Sequence, residues 1–271
     1  KTINEIALKR VSAKVLGLDE FDSNAFDGVT TEYELNMYGD NSPKLELNAS
    51  LEKISAIYIP IGYKDTYVQN GWPEAKLKNY KIKTQPQDVV VTAGEIDATL
   101  EVTAEAKVAL QGEGITYTWY YADKDGNIKE KAYLDSANIP YKSAYKVPTD
   151  LSYDHENNKE KDYYLVCVVG EGREGAILEK TRPAKITVKP GTYKVEFNSG
   201  YLAEWIAGTS YIVPVNSDRK IEKANIPSVD KLKIDGNGLR LKGWALEDDT
   251  IIDPATFVYD KNTTLYPVWE Y

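Results

Sequence analysis

The chain has 271 residues, 42% of them hydrophobic and 28% charged, and carries a formal net charge of −9. That length accommodates two or three domains with cores of their own, and the composition is that of folded rather than disordered protein. Acidity of this size, with no long Lys/Arg run, excludes a phosphate-neutralising face, so nucleic acid is not an expected partner. Tyrosine dominates the aromatics, at 21 against four Phe, alongside a single Met. Such side chains suit half-buried strands and contact surfaces, so the chain is expected to be mainly β. One cysteine, Cys167, allows no internal disulfide. No run of about 18 apolar residues is present, so no membrane insertion is expected. The opening "KTINEIALKR" lacks the apolar run of a signal peptide, and any targeting segment is expected to have been removed.

Three segments follow in chain order: 1–82, 83–189 and 190–271. The first mixes helical and strand patterns. "FDSNAFDGV" contains Ala25, Phe26 and Gly28. "SAIYIPIGYKDTYVQNGWPEAKL" contains Ile57, Tyr58, Ile59, Pro60, Gly62, Tyr67 and Trp72. These residues resemble the A-F-x-G repeat and the final repeat of treponemal-type leucine-rich-repeat proteins. Only one A-F-x-G occurs, and a solenoid needs several stacked repeats, so the segment is expected to be the terminal cap of a partial array. The resemblance implies a small α+β cap with a short helix near Lys64–Asn70 and an exposed apolar side turned towards preceding repeats.

Segment 83–189 reads as short strands separated by turns. "DVVVTAG" and "ATLEVTA" are β-branched runs. "ITYTWYY" alternates Ile115, Tyr117, Trp119 and Tyr121 against Thr116, Thr118 and Tyr120. Asp125-Gly126 predicts a hairpin turn, since glycine tolerates positive φ. "DYYLVCVVG" and "RPAKITV" complete a set at sandwich spacing. These runs resemble a bacterial immunoglobulin-like domain. The resemblance implies a β-sandwich with Trp119 under its sheets and Cys167 at the second bridging position. Val102 then stands at the first, and the bridge is absent. The run "YLVCVV" leaves open which way Cys167 points, because a one-residue slip reverses the face.

Pro190-Gly191 punctuates the chain before "TYKVEF", which places Tyr193, Val195 and Phe197 on one strand face. With Gly243-Trp244 in "LKGWALEDDT" and Thr264, Leu265, Tyr266 and Trp269 in "TTLYPVWEY", this segment resembles the Listeria–Bacteroides repeat of the internalin B-repeat type. That implies a small β-grasp-like fold with Trp244 and Trp269 in its core. Ser199-Gly200 replaces the usual glycine pair, and the stretch from Gly200 to Gly243 is longer than the family pattern.

Catalytic chemistry finds no support in the residues. His155, the one histidine, lies in polar "LSYDHENNKEKD" without an apolar wall and is read as a solvated loop residue; no triad can be assembled around it. Cys167 within "YLVCVV" is read as buried and inert. One His and one Cys do not make a zinc site. "DKDGN" (Asp123, Asp125, Asn127) starts like a calcium loop, but Ile128 occupies the glycine position, and the reading taken is a hairpin turn. "EDDTIID" (Glu247, Asp248, Asp249, Asp253) is read as a loop between strands. No phosphate-cradling glycine motif is present, and no catalytic, cofactor or metal residue is assigned. The candidate ligand-binding pair is Tyr201 and Trp205 in "SGYLAEWIAGTSY", four apart and on one face if helical. Packing of that face on the domain's own sheet is the competing reading.

The expectation is therefore a non-enzymatic, extracellular segment of a bacterial surface or secreted protein, monomeric, without cofactor, meeting a host or bacterial surface protein. The alternative is an ancillary carbohydrate-binding region of a larger glycan-active enzyme. No L-P-x-T-G wall-anchoring signal is present.

Overall fold

The computed structural model describes residues 12–13, 20–38, 42–47, 49–108, 115–132, 143–170, 176–206, 211–234 and 238–271. The fold is mainly β, with several separate sheets and one short α-helix among these residues. The chain forms two compact units and passes between them repeatedly. One comprises residues 1–87, 100–145 and 164–184; the other comprises 88–99, 146–163 and 185–271.

The first unit begins with a parallel ladder of β1 (Ser12–Ala13), β3 (Tyr33–Met37), β5 (Ile54–Tyr58) and β6 (Leu77–Lys78). Ser12, Asn36, Tyr58 and Lys78 lie side by side in it, each 20 to 24 positions after the one before. A second parallel pair, β2 (Glu20–Phe21) with β4 (Lys44–Leu45), repeats that offset. Regular parallel strands at a constant step are the mark of a coil that winds once per repeat. A single A-F-x-G had predicted only a terminal cap. Four ladder strands run through this segment, and their apolar positions do not keep the motif. Leu35, Ile57 and Leu77 form one such inward row.

The helix α1 (Lys64–Gln69) lies where the sequence predicts it. Its Tyr67 is buried against Trp72, whose Nε1 donates to the Pro43 carbonyl at 2.7 Å. Phe21 stacks on Phe26 at 5.5 Å and meets the Trp72 edge at 5.6 Å, so the A-F-x-G phenylalanine is core. The end of the array where an exposed apolar side was expected lies outside the described residues.

The opposite ladder face carries Glu34 and Asn36 beside buried Ala56 and Tyr58, which cluster with Val108. Lys81 pairs with Glu34 at 2.6 Å, and the Tyr58 hydroxyl donates to the same carboxylate at 3.4 Å. Burial and that carboxylate both raise the Tyr58 hydroxyl well above its usual value. Strand β7 (Tyr80–Thr84) then pairs antiparallel with β10 (Thr103–Ala106). Buried Asn79 joins two segments here, donating to the Ile59 carbonyl and accepting from the Ile177 amide.

The rest of this unit is an immunoglobulin-like sandwich. β11 (Tyr117–Ala122) sits between β12 (Ile128–Lys131) and β14 (Lys161–Val169), with β15 (Glu179–Lys180) beside β14. β9 (Thr99–Glu101) pairs with β13 (Ala144–Lys146) in a separate sheet. Trp119 on β11 is buried against Tyr145 on β13, with ring centroids 5.5 Å apart. Trp119 lies directly opposite Cys167 in the antiparallel register, so both point to the same face. That resolves the register: Cys167 points into the core, and Leu100 and Val102 are buried as well. The predicted hairpin turn joins β11 to β12. Gly126 takes φ +80° and donates to the Asp123 carbonyl. The Asp123 carboxylate accepts from the Asp125 and Asn127 amides, which locks the turn without a cation.

In the second unit β8 (Val89–Thr92) runs parallel to β16 (Ala184–Lys189). Beyond β16, a Cβ on Gly191 would stand 2.0 Å from the Ala93 carbonyl oxygen, so the predicted punctuation is a close approach that only glycine permits. The C-terminal sheet contains β17 (Lys194–Phe197), β19 (Tyr211–Pro214), β21 (Arg240–Ala245), β22 (Ile251–Ile252) and β23 (Thr263–Glu270), in the order β19-β17-β23-β21-β22. Its first and last strands are central and parallel, Val195 beside Thr263 and Phe197 beside Leu265. β18 (Ala203–Trp205) and β20 (Leu232–Ile234) make a separate antiparallel ribbon. Tyr193, Val195, Phe197, Val213, Trp244 and Leu265 are buried, as the alternation of "TYKVEF" requires.

Candidate binding surfaces

The stretch holding Tyr201 and Trp205 is not a helix. Residues 203–205 are the strand β18, which lies against β20. Period-two geometry then sends Ala203 and Trp205 inward and Leu202, Glu204 and Ile206 outward. Trp205 stacks 6.5 Å from Trp244, lies 5.5 Å from Tyr211, and donates from Nε1 to the Phe197 carbonyl at 3.0 Å. It is a core residue of its own domain. Tyr201, just ahead of the strand, is fully exposed. The two aromatics do not form one platform. What the ribbon offers is an outward row of Leu202 and Ile206, both exposed, flanking Glu204, with Tyr201 at its head.

The two tryptophans of the repeat also part company. Trp244 is buried, its ring edge-on to Phe197 at 4.8 Å. Trp269 is only half-buried, and its Nε1 is shielded from solvent without a partner. The expectation of two core tryptophans holds for one. The bulge between Leu241 and Gly243 interrupts the pairing of β21 with β23 just where Trp269 sits. Of the acids of "EDDTIID", Glu247, Asp248 and Asp249 lie in the turn between β21 and β22, and Asp253 follows β22. Asp248 accepts from the Thr250 amide, and Asp253 accepts from the Ala255 amide. Those bonds hold the Asp248 carboxyl below the usual carboxylate range.

Beside this turn lies a depression of about 430 Å³ into which Asp150, Glu247, Asp248, Lys261, Thr264 and Tyr266 project. Sequence reasoning had treated Thr264 and Tyr266 only as repeat-pattern residues and missed Asp150 and Lys261 altogether. The one local signal was the alternation of "TTLY", which puts Thr264 and Tyr266 on the strand face opposite Leu265.

His155 departs from its expected setting. It has a wall: the Tyr153 ring at 4.1 Å and the Tyr193 ring at 5.7 Å, with Nε2 3.4 Å from the Tyr193 hydroxyl. Desolvation, with Arg219 next, lowers its pKa, opposed by nearby Asp260. Nδ1 is buried near the Asp260 backbone without a well-formed hydrogen bond. Among the described residues no cysteine or serine is bonded to the imidazole, and the contact ties the Tyr153–His155 loop to Tyr193, which immediately precedes β17. Cys167 is fully buried and its thiol is pushed up to about 12 by burial, far from the reactive thiolate range. Among the described residues no group of three His, Cys, Asp or Glu side chains is placed to hold a metal ion, and no helix is long and apolar enough to cross a membrane.

No protein-family model matches the chain, and a search of curated proteins found no match. Solved structures do overlap it. The D1 domain of Duf (Kirre) is 15% identical, with a TM-score of 0.25 over 41% of this chain and 98% of that one. The N-terminal four Ig domains of Dscam1 isoform 4.44 are 12% identical, with a TM-score of 0.29 over 70% of this chain and 46% of that one. The N-terminal Ig1-2 module of the Drosophila receptor protein tyrosine phosphatase DLAR is 14% identical, with a TM-score of 0.24 over 64% and 74%. Superpositions this loose leave the function to be argued from the chain's own geometry.

Proposed function

We propose that this chain is a non-catalytic segment of a secreted or surface-attached bacterial protein, acting in adhesion or protein–protein interaction and as a spacer. On this reading it has three parts: a leucine-rich-repeat-like array end over 1–82, an immunoglobulin-like sandwich over 83–189, and a β-grasp-like repeat over 190–271. The ladder step of 20 to 24 residues supports the first, since it falls in the period of leucine-rich repeats. The C-terminal strand order supports the third. Numbered within that segment it runs 2-1-5-3-4, with the parallel pair in the centre. The connection between β19 and β21 departs from a β-grasp helix: its described part holds two short 3-10 turns, Lys223–Asn225 and Val229–Lys231, followed by β20.

One observation carries the binding role. The β18–β20 ribbon turns Leu202 and Ile206 outward beside fully exposed Tyr201, an apolar row that the domain's own core does not need. Clustered exposed apolar and aromatic side chains are where interface energy concentrates. The test is surface plasmon resonance of the immobilised chain against a panel of purified cell-surface and matrix proteins. A binder should weaken by about tenfold or more with Leu202→Ser/Ile206→Ser, while thermal melting stays unchanged. Binding that survives that change and Tyr201→Ser would defeat the assignment of this surface.

A further inference from the structure

The depression beside Tyr266 is a second surface, separate in residues from the ribbon. Its volume of about 430 Å³ is in the range of small-ligand sites. Three features define what would enter. First, Tyr266 stands on the outward face of β23, 38% exposed, opposite Ala245, which in turn faces exposed Ile251 on β22. Ala245 itself is buried, so the exposed element is the Tyr266 ring, whose face suits a ligand with C–H faces. Second, the polar groups around it are of both kinds: Lys261 donates, Thr264 donates and accepts, and Asp150, Glu247 and the outer oxygen of Asp248 accept. Among the described residues the side chains of Asp150, Glu247, Lys261 and Thr264 make no hydrogen bond, whereas the Asp248 carboxylate is bonded by the amide and the side chain of Thr250. Third, three carboxylates against one ammonium disfavour an anion.

We infer that this depression binds a neutral oligosaccharide, one sugar ring lying on Tyr266 with its hydroxyls bonded to Thr264, Lys261 and the Glu247 and Asp248 carboxylates. A sugar hydroxyl donates and accepts at once, which is the demand this mixed lining meets and an apolar or singly charged ligand does not.

The experiment is NMR titration of the full chain with neutral trisaccharides of β-linked glucose, N-acetylglucosamine and xylose and of α-linked mannose. At least one should bind saturably, with shifts centred on Thr264 and Tyr266. Tyr266→Ala should lower that affinity by about tenfold or more, and Thr264→Val, which keeps shape and removes the hydroxyl, should lower it less, both with unchanged melting. Leu202→Ser/Ile206→Ser should leave it untouched, so this site and the protein-binding ribbon fail or stand separately. The inference is overturned if no saccharide saturates, if both depression variants bind as the parent does, or if penta-lysine binds there instead.

Discussion

Replacing Trp244 and Trp269 one at a time by alanine separates two residues that the repeat pattern treats alike. Trp244 is 4% exposed and makes ring contacts with Phe197 at 4.8 Å and Trp205 at 6.5 Å. Truncating a core tryptophan costs about 3–5 kcal/mol, including the lost aromatic pairs. A module the size of 190–271 has a total stability on the order of 4–12 kcal/mol. Trp244→Ala therefore removes from about a quarter to all of it. Trp269 is half-buried and leaves a shielded N–H unpaired. Its loss forfeits less area and also relieves that donor, a net cost of about 1–2 kcal/mol. The assay is urea unfolding of the full chain, followed by far-UV circular dichroism and by tryptophan emission. With an m-value of about 1–2 kcal/mol/M, Trp244→Ala should move the C-terminal transition by about 2 M or more, or abolish it. Trp269→Ala should move it by about 1 M. A Trp244→Ala midpoint close to the parent's, or a larger shift for Trp269→Ala, would refute the packing argument.

Two further outcomes follow from the buried titratable groups. Cys167 should resist Ellman's reagent in the native chain at pH 8 and react fully once urea exposes it, because burial holds its thiol pKa at about 12; fast native labelling would contradict its place under Trp119. His155 has a folded-state pKa below its ordinary 6.5, so between the two values the unfolded chain binds more protons than the folded one. The stability it contributes is complete above pH 6.5 and is lost as the pH falls through that window. The melting temperature should therefore fall on acidification from pH 8 to pH 5, and the fall should be shallower in His155→Gln. Parallel curves for the two proteins would count against the tyrosine wall.

Local chemistry was readable from the chain itself wherever the answer lay within a few residues. Asp125-Gly126 had to turn because glycine accepts φ +80° and Asp123 caps the amides beside it. "TYKVEF" had to bury alternate side chains, since that period is set by backbone geometry, while the helix over Lys64–Gln69 was what the leucine-rich-repeat resemblance implied. The strand around Trp119 was readable from its alternation, and the burial of Trp119 was what the immunoglobulin-like resemblance implied.

Tertiary structure decided the rest, because pairing across long separations is not encoded in local period. Trp205 became a core residue only because β18 lies against β20 some thirty positions away. The same spacing read as a helix would have exposed it beside Tyr201. His155 acquired a wall from Tyr193, 38 positions on. Trp244 and Trp269 diverged because a bulge in β21 shifted one register and not the other. The depression beside Tyr266 draws on side chains from residue 150 to residue 266. Which face of a strand meets solvent is settled by the strand beside it, and that neighbour is chosen by the whole chain's burial of apolar surface.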